Sequence, residues 1–146
     1  MDFISQILNA IINVHPWHSL TVHFPIALFG TALLFIVLAL WKRNEVFERV
    51  AFYNLVVATL GTIVAGMTGY RDHLVRYEGQ TEFANTKIFL AFTLLLVSAL
   101  TVFIRWRKPQ LLWQSSSMIL YLSAFVICFS LAGLLGFIGG VILYGF

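Results

Sequence analysis

Four long apolar runs dominate the chain. They extend from about Leu20 to Trp41, Val50 to Tyr70, Ile88 to Trp106 and Met118 to Tyr144. Acidic and basic residues are missing from their interiors and occur only at the rims. The hydrocarbon core of a bilayer is about 30 Å thick, which a helix crosses in roughly 20 residues. No run shows the strict alternation of a barrel strand, and a helix satisfies its own backbone polar groups in lipid. The pattern therefore predicts an all-α fold: a four-transmembrane-helix bundle forming a single domain over residues 1–146. Short loops make neighbouring spans antiparallel. The preceding stretch, DFISQILNAIINV, is apolar on one side and carries Gln6, Asn9 and Asn13. It reads as a short N-terminal helix lying in the membrane interface. The first run is too long for a cleavable signal, and Trp41-Lys42-Arg43 follows it in place of a small-residue cleavage site. Pro25 is expected in the first turns of the first span, where few N–H groups need partners.

Composition agrees with a lipid-facing chain. Hydrophobic residues make up 60% and charged residues 10%, against about 25% charged in a soluble domain. Charge changes the picture by giving a direction. Lys42, Arg43, Arg49, Arg105, Arg107 and Lys108 fall in the first and third loops, while Arg71, Arg76 and Lys87 fall in the middle loop. The positive-inside rule puts the six-residue side in the cytoplasm. Both termini and the Arg71–Lys87 loop then face outward. Trp41, Trp106, Trp113, Tyr70 and Tyr144 stand at the run ends, as aromatic belts do. The formal net charge of +3 is accounted for by the cytoplasmic loops, so nucleic acid is not an expected partner.

Small residues mark close packing. Gly61, Ala65 and Gly69 recur at steps of four in the second run, with Gly66 beside them, and the fourth run holds Gly133, Gly136, Gly139 and Gly140. Such rows let backbones approach in lipid. The second and fourth spans are therefore expected to form the tight centre of the bundle. Cys128, the single cysteine, lies within the fourth run and reads as a small packing residue.

The candidate chemistry gathers at one end. His15, His18 and His23 precede or open the first span; Arg71, Asp72 and His73 follow the second; Lys87 opens the third. The topology puts all of them on the predicted outer face. Imidazole ligates metals and caps haem iron, so His23 and His18 are the candidate metal or haem ligands. His18, His23, His73, Arg71, Asp72 and Lys87 make up the candidate cofactor-binding set. Five residues separate His18 from His23, about 140° of helical turn, which keeps them off a common face. The plainer reading makes these histidines markers of the water boundary. No cysteine pair, HExxH or CxxCH occurs, so zinc and covalently attached haem find no usual motif.

The stretch HSLTVHFPIAL resembles the first-helix signature of a bacterial family of four-helix membrane proteins, domain of unknown function twenty-two thirty-one, which tends to read H-P-x-x-V-H-F-P-I-A-L. His18, Val22, His23, Phe24, Pro25, Ile26, Ala27 and Leu28 fit it; Gly69 and Asp72 fit a G-x-x-D motif; Gly139, Gly140 and Tyr144 fit a G-G-x-L-V-Y motif. Two positions depart. Ser19 stands where the family often has Pro, and Lys87, in NTKI, stands where it tends to have His. If the family's histidines ligate haem or metal, a partner of His23 is lost here, and His73, oriented by Asp72, is the candidate replacement. The resemblance implies a fold more firmly than an activity. Through the Rieske and cytochrome c modules that some members accompany, it also implies membrane electron transfer. The leading reading is a redox-associated module or subunit with a b-type haem or quinol site at a histidine-rich outer mouth. The alternative is a noncatalytic scaffold subunit of a larger membrane complex. A transporter is disfavoured, because no ionisable residue lies at mid-membrane. No nucleophile–base pair suggests an enzyme.

Overall fold

A computed structural model of the chain describes residues 2–10, 16–75, 77–79 and 83–144. Its elements are α1 (Phe3–Asn9), α2 (Trp17–Lys42), α3 (Glu45–Val75), α4 (Ala84–Arg107), a 3₁₀ turn (Leu111–Trp113) and α5 (Ser115–Tyr144). The fold is all-α, and helices α2 to α5 are each long and apolar enough to cross a membrane. Helix α1 is exposed, with Phe3, Ile4, Ile7 and Leu8 uncovered.

Helices α2, α3 and α4 run past the expected limits at both ends, and α5 does so at its start. Helix α3 has 31 residues, about 46 Å at helical rise, so its charged ends reach beyond the hydrocarbon. Its start is specified locally. Arg43 adopts a left-handed conformation (φ 49°), and the Asn44 side chain accepts the Val46 N–H at 2.8 Å. Glu45 and Glu48 occupy the first turn, where the helix dipole favours negative charge. The connection to α2 is therefore only Arg43 and Asn44, and α2 and α3 make the most extensive helix contact.

That contact corrects the expected centre of the bundle. The second span is tight, its most extensive contact being with the first span, which the expectation had left out of the centre. A Cβ on Gly61 would meet Pro25 at 3.2 Å, and one on Gly69 would meet His18, both on α2. A Cβ on Gly66, Gly133 or Gly140 would meet nothing within 4 Å, whereas one on Gly136 of α5 would meet Ile26 of α2 at 3.1 Å. Pro25 is also corrected. It is buried in the helix interior, nine residues into α2, where it leaves the Thr21 carbonyl without its usual donor. Its ring fills the space that Gly61 vacates.

The buried positions repeat at alternating steps of four and three. On α2 they are Pro25, Phe29, Ala32, Ile36 and Ala39. On α3 they include Glu48, Ala51, Leu55, Ala58, Thr62, Ala65 and Asp72; on α4, Leu94, Ser98, Thr101 and Arg105; on α5, Tyr121, Phe125, Cys128 and Ala132. This heptad spacing keeps one seam of each helix facing its neighbours along a left-handed bundle. The 3₁₀ turn closes one end with buried Leu111 and Leu112. Trp113 packs partly buried against the core there and is not one of the exposed belt residues. Trp41, Tyr70, Trp106 and Tyr144 are exposed as belts require.

Candidate functional site: the polar mouth at His18

The four seams continue, seven residues further, into the polar mouth. His18 precedes Pro25 by seven, Lys87 precedes Leu94 by seven, Asp72 follows Ala65 by seven and Gly139 follows Ala132 by seven. One residue from each helix is thereby brought to the same end of the bundle. A Cβ on Gly139 would lie 3.7 Å from Lys87 Nζ, so the ammonium reaches across to α5. Lys87 and His23 are both within electrostatic reach of His18.

Asp72 is 3% exposed, and both of its carboxylate oxygens are engaged. Oδ2 accepts the His18 backbone N–H at 2.9 Å, and Oδ1 accepts Arg71 Nη1 at 3.0 Å. Pro16, at the N-cap of α2, supplies no side-chain cap. Asp72 supplies it from the neighbouring helix, satisfying one of the orphan N–H groups at the α2 terminus. Arg71 lies over the Trp17 ring at 4.9 Å, tying the same two helix ends together.

The His18 ring is fixed by two features of α3. Nδ1 lies 2.9 Å from the Ala65 carbonyl oxygen, which only accepts, so Nδ1 carries the hydrogen. Gly69 makes the approach feasible: a Cβ there would stand 2.9 Å from Nδ1 and 3.1 Å from Cε1. With the Nδ1 edge against α3, Nε2 is turned away from that helix. It has no hydrogen-bond partner among the described residues, and in the neutral ring it keeps its lone pair. Beside it, Thr21 and Thr68 hydroxyls hydrogen-bond across the α2–α3 contact at 2.8 Å.

The expected lead residue is revised. His23 and His18 were both candidate ligands; the structure puts His18 at the mouth, and His23 is exposed off the seam. The physical reason is the 140° turn between them. His73 is half-buried in the last turn of α3, its carbonyl accepting the Gly79 N–H. The Asp72 oxygens hold His18 and Arg71, whereas the expectation had Asp72 orienting His73. His15 and Arg76 lie outside the described residues. Among the described residues no group of three or more His, Cys, Asp or Glu side chains is placed to hold a metal ion.

A second polar cluster, at the opposite end of the bundle, was missed by the sequence reading. Glu48, 2% exposed, receives Arg105 Nε on Oε1 at 2.5 Å and Arg105 Nη2 on Oε2 at 2.6 Å. The Tyr121 hydroxyl donates to the same Oε1 at 3.1 Å. Three helices meet in this bidentate pair. Arg105, counted from sequence among the loop cations, belongs to the interior. The signal was present: Glu48, Arg105 and Tyr121 each continue a seam by one heptad step.

The model of the DUF2231 family, described as predicted membrane protein, matches residues 14–146. The chain belongs to this family. Neither a curated protein nor a solved structure matches the chain. Four apolar helices and the family description together make this DUF2231 chain a multi-pass membrane protein in contact with lipid. The G-x-x-D pair of its sequence has a physical reading here: Gly69 admits the His18 ring, and Asp72 caps the helix that carries it.

Proposed function

We propose that the chain is a redox-associated subunit of a bacterial inner membrane that holds a quinol or quinone head group in the His18 mouth. The observation that carries the reading is the Nδ1–H bond from His18 to the Ala65 carbonyl. It leaves Nε2 as a preoriented acceptor for a quinol hydroxyl. Lys87, half-buried and without a side-chain hydrogen bond among the described residues, supplies a donor for a quinone carbonyl. Gly139 leaves room beside that ammonium, and His23 stands at the rim. Electrons exchanged with the head group pass to or from an electron-transfer partner subunit, because the chain's own contribution is binding and orientation.

A b-type haem is the second reading, favoured by the same bond, since haem- and metal-ligating histidines commonly donate their other N–H to a carbonyl. The residues fit it less well. Lys87 occupies the place of a second inward ligand, and an ammonium has no lone pair for iron. A noncatalytic scaffold is the remaining reading.

Absorbance and extraction separate the three. Protein purified in mild detergent is expected to be colourless and to carry extractable quinone. His18→Ala or Lys87→Met should lower its quinone content about tenfold, as expected for a hydrogen bond worth 1.5 kcal/mol or so. A haem b spectrum abolished by His18→Ala would move the assignment to haem. A protein free of both colour and quinone, whose His18→Ala variant still joins its parent complex, would leave the scaffold.

The proposed orientation places the mouth on the outer side and the Glu48 end in the cytoplasm, following the basic loops. Cysteines placed at Asn44 and Lys108 are expected to react with a membrane-impermeant thiol reagent only after the cells are opened. Cys128 is buried and should stay silent. Labelling of either position in intact cells would reverse the orientation.

A further inference from the structure

The Glu48 end carries an independent site. Beside the buried ion pair lies a cleft of about 140 Å³, lined by Glu45, Glu48, Arg49, Arg105, Pro109, Gln110 and Trp113. Glu48 engages Nε and Nη2 of Arg105. Nη1 has no hydrogen-bond partner among the described residues. The Arg105 guanidinium is held between Glu48 and the Phe52 ring, 5.1 Å away. Arg105 lines this cleft together with the exposed Arg49 and with Gln110. An apolar groove adjoins it, lined by Leu40, Leu112 and Met118 with Arg43 at its edge, and Glu45 and Trp113 line both.

We propose that this composite surface binds one anionic phospholipid, with its phosphate in the cleft and its glycerol and upper acyl carbons on the apolar groove. Charge and shape both select such a molecule. Planar guanidinium groups recognise phosphate through paired donors. Glu48 and Arg105 neutralise each other, so Arg49 and Arg43 are the two cations that favour the phosphate, against the one opposing carboxylate of Glu45. A free anion would use the polar cleft but gain nothing from Leu40, Leu112 and Met118. A zwitterionic lipid would bring a cation toward Arg49 and Arg43. The site lies at the basic end of the chain, where headgroup phosphates gather.

The test uses the full chain in nanodiscs of phosphatidylcholine with a minor fraction of phosphatidylglycerol, reading retained lipid by native mass spectrometry. The expected result is one preferentially retained phosphatidylglycerol. Arg49→Gln should cut that retention about fivefold, the effect of one basic residue near a membrane surface. Lys108→Gln removes an exposed charge at the same end, outside the cleft, and should leave retention unchanged. Arg105 is left intact in these variants because it holds the fold. A third variant, Met118→Glu, places charge in the apolar groove and should also reduce retention. Equal losses for Arg49→Gln and Lys108→Gln would overturn the proposal in favour of diffuse surface attraction. So would the absence of preference between the two lipids. Inorganic phosphate that binds the detergent-solubilised protein through Arg49, with no retained lipid, would likewise overturn it by making free phosphate the occupant.

Discussion

Arg105→Met is expected to lower the unfolding free energy by about 3–5 kcal/mol, the usual loss when one partner of a buried ion pair is removed. It would leave Glu48, 2% exposed, as an unpaired carboxylate among α3, α4 and α5. Glu48→Gln should also be harmful, since it strands the guanidinium. The double variant Glu48→Met with Arg105→Met should recover most of the loss, because two unbranched apolar side chains replace the pair without a buried charge. Tyr121→Phe removes one hydrogen bond to Glu48 and should cost about 1 kcal/mol. Reversible unfolding in mixed micelles gives the four numbers. A double variant as unstable as the worse single one would show that the bidentate geometry itself, beyond charge neutrality, holds the three helices. Harmless single variants would mean that Glu48 is solvated in the protein and the tie between the helices is lost.

How much of this was legible in the sequence depends on which property is asked for. The four spans were, because twenty apolar residues leave a membrane chain few alternatives. Their ends were not. Arg105 was read as a loop charge and Glu48 fell outside the second run, since hydropathy falls there, yet the helices continue until their caps, at Asn44 for α3, and the charges continue with them. The missing signal was spacing. Stepping back by three from Ala51 reaches Glu48, and stepping on by four from Thr101 reaches Arg105. The same steps carry α2 back from Pro25 to His18 and α4 back from Leu94 to Lys87. Motif resemblance drew attention to His23 because it lies within the HFPIAL run, but a motif does not state which face a residue occupies. Helical phase does. The small-residue row on α3 announced a close contact correctly. It did not name α2 as the partner, because glycines on two helices look alike in sequence. The two-residue turn at Arg43–Asn44 decides that, by holding α2 and α3 side by side.

The same phase argument fixes the second large effect, at Gly69. Gly69→Leu should destabilise the protein by about 1–3 kcal/mol, the range for overpacking, with the added loss of the His18–Ala65 hydrogen bond. The methyl group of Gly69→Ala is already too large, since its carbon would stand 2.9 Å from His18 Nδ1. The ring must then swing off α3 and Nε2 loses its fixed direction. Gly66, three residues earlier, is the control: a Cβ there meets nothing within 4 Å, and Gly66→Ala should change stability by no more than about 0.5 kcal/mol, as surface substitutions do. Whether the harm at Gly69 passes through His18 can be measured directly. In a His18→Ala background the ring is absent, and Gly69→Ala should cost much less than it does alone. That non-additivity is the signature of direct contact. Additive losses would mean that Gly69 serves the α2–α3 backbone approach alone. The imidazole would then be held by the Ala65 carbonyl and the Asp72 cap without help from the glycine.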